Sequence, residues 1–219
     1  MNRIQVALQM KEQGIIPVFY NADIEICKEI LTICHRAGIR AFEFTNRGDF
    51  AHLVFAELSQ WAHRQMPDMM LGVGSVVDAP TAAIYIQLGA AFVVSPLLNP
   101  EVGKVCNRRK VLWAPGCGTL SEINQAEELG AEIVKIFPGS STGGPEFVKS
   151  ILGPCPWSWI MPTGGVEATK ENLGAWFKAG VVCVGMGSNL FPRAMVEAHS
   201  WDQIAQTIDQ TFAILKSIR

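Results

Sequence analysis

One repeat constrains this chain more than anything else in it. A burst of about five apolar residues ends in small or polar ones, and an amphipathic stretch follows. The bursts are IIPVFY (15–20), AFEFTN (41–46), MLGVGSV (70–76), FVVSP (92–96), VLWAPG (111–116), IVKIFPG (133–139), WIMPTGG (159–165) and VVCVGMGS (181–188). Short runs of this kind suit strands buried on both faces, and strict strand–helix alternation predicts a parallel sheet with helices outside. Eight units in 219 residues predict a closed (β/α)8 TIM barrel: an α/β fold, one domain over 1–219, with a short N-terminal helix. A doubly wound open sheet is the alternative. It is weakened because no G-x-G-x-x-G follows the first strand.

The intervening helices carry their own signals. Residues 2–12 read as the N-terminal helix, with Ile4, Ala7, Leu8 and Lys11 at helical spacing and Gly14 as its stop. Asp23 caps IEICKEILTICHRAG, Asp78 opens APTAAIYIQLG, and Thr119 with Glu122 frames a capping box. The last helix, about 200–218, stripes Ile204, Ile208, Phe212 and Leu215 along one face. Trp61 and Trp176 read either as interface residues on the outer helices or as half-buried aromatics.

Charge and composition remove several classes of function. Net charge is −2 with no basic block, so neither nucleic acid nor a membrane surface is expected as partner. No stretch is apolar enough to span a bilayer, and the N-terminus lacks a signal-peptide core, which predicts a cytoplasmic location. Six cysteines without C-x-x-C and four histidines without ligand spacing predict reduced packing thiols and no metal site.

The chemistry should lie at the C-terminal ends of the strands. In AFEFTNR, period two puts Glu43, Thr45 and Arg47 on one face and Phe42 and Phe44 on the other. The phenylalanines should meet the helices, so the polar trio should point inward. Lys135 does the same between Val134 and Ile136. A buried Glu43–Lys135 ion pair is the plain structural reading, although such pairs are rarely stability devices. The chemical reading is that burial, with Arg47 nearby, disfavours the ammonium and frees a neutral amine for Schiff-base formation. Glu43 would then shuttle protons, and Arg47 would hold a substrate carboxylate. The other lysines lie on helices, at helix edges or at the opposite end of the strands.

A second signal follows strands seven and eight. MPTGG (161–165) and GMGS (185–188) both end in small residues, and these two loops form the usual phosphate site of such barrels. Gly164, Gly165, Gly187 and Ser188 are therefore candidate phosphate ligands, with STGG (141–144) bordering the pocket.

These pieces resemble the 2-keto-3-deoxy-6-phosphogluconate (KDPG) and 4-hydroxy-2-oxoglutarate (KHG) aldolase family. The matching segments are GIIPV (14–18), FEFTNR (42–47), GVGSV (72–76), FVVSP (92–96), APGCGTLSE (114–122), VKIFPG (134–139), PTGG (162–165) and GMGS (185–188). The resemblance implies a class I aldolase, a carbon–carbon lyase of carbohydrate metabolism, trimeric and independent of metal or other cofactor. It implies Lys135 as the Schiff-base residue and Glu43 as acid/base. Arg47 and Thr163 would sit on the pyruvate carboxylate, Ser75 and Pro96 in the pocket wall, and Phe137 beside the lysine. Phosphate would fall to Gly164, Gly165, Gly187 and Ser188. Ser75, Leu97, Cys117 and the 139–144 loop depart from the family pattern and bear on the aldehyde half of the substrate. Alternatives are the 6-phosphogalactonate epimer as substrate, a phosphosugar isomerase with Glu43 as base, and a non-catalytic barrel binding a small acid phosphate.

Overall fold

The computed structural model describes residues 2–219. It is an α/β fold of parallel strands: β1 (Ile15–Phe19), β2 (Ala41–Thr45), β3 (Met70–Gly74), β4 (Phe92–Val94), β5 (Leu112–Ala114), β6 (Gly116–Cys117), β7 (Val134–Ile136), β8 (Ile160–Pro162) and β9 (Val184–Met186). Six strands, in the order β5-β4-β3-β2-β1-β9, curl as a half-barrel, and β6-β7-β8 form a second sheet. Against the eight strands expected, the structure has nine among the described residues, arranged in two sheets. Pro115 explains the extra strand: it has no N–H for the ladder, so the fifth burst divides around it. Its carbonyl still accepts from Lys135 N–H at 2.9 Å.

Several bursts hand over to a helix through a side-chain cap, while the helices that begin after Phe50, Gly143 and Pro192 have none. Asp23 accepts from Glu25 N–H at the start of α2 (Ile24–Arg36), and Asp78 accepts from Thr81 N–H at α4 (Ala79–Gln87). Thr119 caps α6 (Leu120–Glu128), while the Glu122 carboxylate accepts from Gly118 N–H and the Thr119 hydroxyl. The last helix, Trp201–Ile218, buries Ile204, Ile208, Thr211 and Leu215, leaving Phe212 half-buried. Trp176 is buried, which removes it from any outer surface; Trp61 is half-buried. All six cysteines are free thiols, five of them buried. Among the described residues no helix is long and apolar enough to cross a membrane.

Alternation along the strands sorts two apolar regions. Phe42, Phe44, Val73, Val93 and Val134 pack outward under the helices. Ile16, Ala41, Met70, Phe92, Ile133 and Met161 pack inward and form a smaller cluster. The N-terminal helix α1 (Arg3–Gln13) closes that inner cluster from the N-terminal end of the strands with Val6, Ala7 and Met10. The stripe expected on this helix is therefore displaced. Ile4 and Leu8 are exposed, because the helix lies across the strand ends and buries a narrow neighbouring face. Gln13 locks it there. Its amide donates to Ile15 and Ala41 carbonyls at 2.8 Å, and its oxygen accepts from Arg40 N–H at 2.7 Å and Ala41 N–H at 2.8 Å.

Candidate active site

The inward positions change character along the strands. Above the apolar cluster stand Glu43 on β2 and Lys135 on β7, only 1% and 5% exposed. Glycines make the space. A Cβ at Gly74 would overlap Glu43 Oε1, one at Gly185 would meet the Thr163 hydroxyl, and one at Gly116 would strike the Pro96 carbonyl. Glu43 and Lys135 make no direct hydrogen bond or ion pair, so the plain structural reading of the two as a salt bridge does not hold. Glu43 Oε2 is buried without a protein partner.

Burial dominates the titration of both groups. It pushes the Glu43 carboxyl up from its ordinary value, against opposing pulls from Lys135 and Arg47. It pushes the Lys135 ammonium down; Glu43 opposes this and the Arg47 cation adds to it. Burial thus biases both groups toward their neutral forms, amine and carboxylic acid. Lys135 Nζ lies 4.8 Å from the centroid of the Phe137 ring.

Phe137 belongs to the wall of an open cavity of about 550 Å³ above the pair. Arg47, Thr163, Gly164, Gly165, Gly187 and Ser188 share that wall. Thr163 Oγ1 is buried and unpartnered. Gly164 and Gly165 adopt φ of 89° and 74°, a turn that favours glycine. Among the described residues, no protein group accepts from the N–H of Gly165, Ser188 or Asn189. Unpaired amides around small residues form a natural seat for an anion.

A buried amine and acid beneath a mouth lined with unpaired amides suit carbonyl chemistry. The family model described as KDPG and KHG aldolase matches residues 6–207. The chain belongs to the KDPG and KHG aldolase family. The 2-dehydro-3-deoxy-phosphogluconate aldolase of Haemophilus influenzae is 27% identical over 212 residues, covering 97% of each chain. That of Pseudomonas aeruginosa is 32% identical over 198 residues, covering 89% of this chain and 86% of its own. The KDPG aldolase of Legionella pneumophila, solved with pyruvate captured as a covalent carbinolamine, superposes with a TM-score of 0.85. It covers 94% of this chain and 97% of that one at 24% identity, a likeness of fold alone.

The aldolase cavity gathers most of the residues singled out in the sequence, but not all. Ser75 reaches it only through Arg47, whose Nε donates to Ser75 Oγ at 3.5 Å. Ser75 itself sits at φ 61°, a backbone conformation uncommon for a residue with a side chain. Pro96 is outside the wall, with its carbonyl packed against Gly116. Lys135 and Glu43 lie beneath the wall rather than in it. Tyr20, Asn189, Arg193 and Glu197 line the aldolase cavity and were not anticipated. Tyr20 closes the first burst, a readable signal. Arg193 lies past the eighth burst, where no periodicity points to it.

Proposed function

We propose that this aldolase cleaves 2-keto-3-deoxy-6-phosphogluconate to pyruvate and glyceraldehyde 3-phosphate through a Schiff base on Lys135. Through the same pyruvate half it would also cleave 4-hydroxy-2-oxoglutarate to pyruvate and glyoxylate. The observation that carries the reading is the buried Glu43–Lys135 pair, biased toward amine and acid. The amine attacks the C2 ketone, and the carbinolamine loses water as Glu43 supplies a proton, leaving an iminium and a carboxylate. Glu43 then takes the C4 hydroxyl proton, the C3–C4 bond breaks, and its electrons enter the iminium to give an enamine. Glu43 returns the proton to C3, and hydrolysis frees pyruvate and the amine. The iminium is itself the electron sink, so the route uses neither metal nor organic cofactor.

Arg47 and the unpartnered Thr163 hydroxyl are the carboxylate anchors in this reading. The amides of Gly165 and Ser188, in the turns that also hold Gly164 and Gly187, take the phosphate. Phe137 shields the amine. Ser75 steadies Arg47, and Pro96 shapes the frame rather than touching substrate.

The two sheets act as one closed eight-stranded barrel in a single domain. The Thr163–Gly185 bridge and the Val182 N–H to Ile160 carbonyl bond of 3.0 Å support closure on one side, and chain continuity through Pro115 supports it on the other. A homotrimer in the cytoplasm is the assembly and location implied by the family.

Borohydride reduction with pyruvate should attach a three-carbon adduct at Lys135, located by peptide mass spectrometry. No adduct, with turnover surviving Lys135→Ala, would overturn the mechanism. Pyruvate release across gluconate and galactonate epimers, phosphorylated and not, identifies the substrate.

A further inference from the structure

The cavity wall contains two cations, Arg47 and Arg193, and one acid, Glu197. Arg193 opens the short helix α9 (Arg193–Glu197), and its Nε meets Glu197 Oε1 at 2.6 Å one turn on. The base of that side chain is fixed. Leu190 and Phe191 are buried, and the Phe191 ring packs edge-on against Phe19 at 5.2 Å. Asn189 Nδ2 donates to the Val166 carbonyl at 2.7 Å, tying this turn to the one after β8. The guanidinium itself is exposed, and an exposed ion pair is weak enough to be exchanged for a better partner.

That combination shares the cavity wall with Ser188 and Asn189, whose amides no protein group engages among the described residues. We propose that Arg193 is a specificity residue for the distal end of the substrate, exchanging Glu197 for a phosphate monoester seated on the Gly165 and Ser188 amides. Guanidinium binds phosphate oxygens as a planar fork, and a dianion outcompetes one carboxylate for it. Glu197 holds the arginine at the mouth until such a ligand arrives and disfavours ligands with less charge at that end. This deepens the aldolase reading and rests on it for the identity of the substrate.

The test has a binding arm and a turnover arm. Calorimetric titration with glycerol 3-phosphate should show Arg193→Ala weakening the phosphate ester by about fivefold, the range of an exposed charge contact. Arg193→Lys should restore part of that loss, and Glu197→Gln should tighten binding. The differences should fade in about 0.5 M salt, where screening acts within a few ångströms. In turnover, Arg193→Ala should raise KM for the phosphorylated substrate about fivefold more than KM for 4-hydroxy-2-oxoglutarate. Equal losses for both substrates, insensitivity to salt, or a Glu197→Gln variant that weakens phosphate binding would overturn the proposal. Should the wild-type protein release no pyruvate from any substrate, the aldolase substrate assignment fails by itself, and the glycerol 3-phosphate titration still decides the role of Arg193.

Discussion

Gly74→Ala would disturb the proposed acid Glu43 without altering any of the residues proposed to carry the chemistry. Gly74 lies on β3 in register beside Thr45, and its backbone is compatible with alanine, since its φ is not positive. The added methyl would overlap Glu43 Oε1 and stand 2.6 Å from Cδ and 2.9 Å from Cγ, where ordinary contacts begin at 3.4 Å. Cδ must therefore retreat by most of an ångström, and Oε1 by more than one, within a closed interior. Overpacking of this kind typically costs about 1–3 kcal/mol of stability. A displacement of about 1 Å in a reacting group lowers turnover by about 100-fold. Pyruvate release measured by a coupled assay gives kcat, and urea unfolding gives the stability change. Gly174→Ala is the control: on helix α8 (Lys170–Ala179) a Cβ meets nothing within 4 Å, so stability should rise by up to about 1 kcal/mol. A Gly74→Ala enzyme whose kcat stays within about threefold of wild type, under 1 kcal/mol of barrier, would refute the placement of Glu43 as the proton shuttle.

Three further outcomes follow from the same features. Replacing the pair as Lys135→Met with Glu43→Gln should abolish borohydride trapping of pyruvate, read as loss of the three-carbon adduct by peptide mass spectrometry. Because burial raises the Glu43 carboxyl, folding holds its proton more tightly than the unfolded chain does. That stability is complete below the ordinary 4.5 and drains away as pH climbs through the raised value, so thermal melts of Glu43→Gln should show a flatter decline over that window than wild type. Gln13→Ala should destabilise the fold by about 1–3 kcal/mol through unpaired strand-end groups, read as a lower urea midpoint.

The sequence carried the strand order and the inward face of β2, because Phe42 and Phe44 could only face helices once Glu43 faced in. It carried Lys135 for the same reason: a charge in a run of Val, Ile and Phe needs an explanation. Other features were hidden by physical causes. The division at Pro115 depends on which ladder bonds a missing N–H interrupts, and that requires knowing the neighbours. Gln13 carries no local signal, since its partners at Arg40 and Ala41 are distant in the chain. Arg193 was invisible because a surface cation after the last strand acquires meaning only when the chain turns back over the cavity.

The inward residues of the lysine strand, Ile133, Lys135 and Phe137, form a dielectric gradient. Consecutive inward positions stand about 6.6 Å apart along a strand. Over two such steps the surroundings pass from an apolar plug sealed by α1 to an open mouth. The amine sits on the slope between them. Its basicity is therefore adjustable from below, through the packing of Met161 or Ala41, by changes that never touch a substrate atom. A cavity that admitted one water beneath Lys135 would shift the pH at which the enzyme works while leaving its recognition surface untouched.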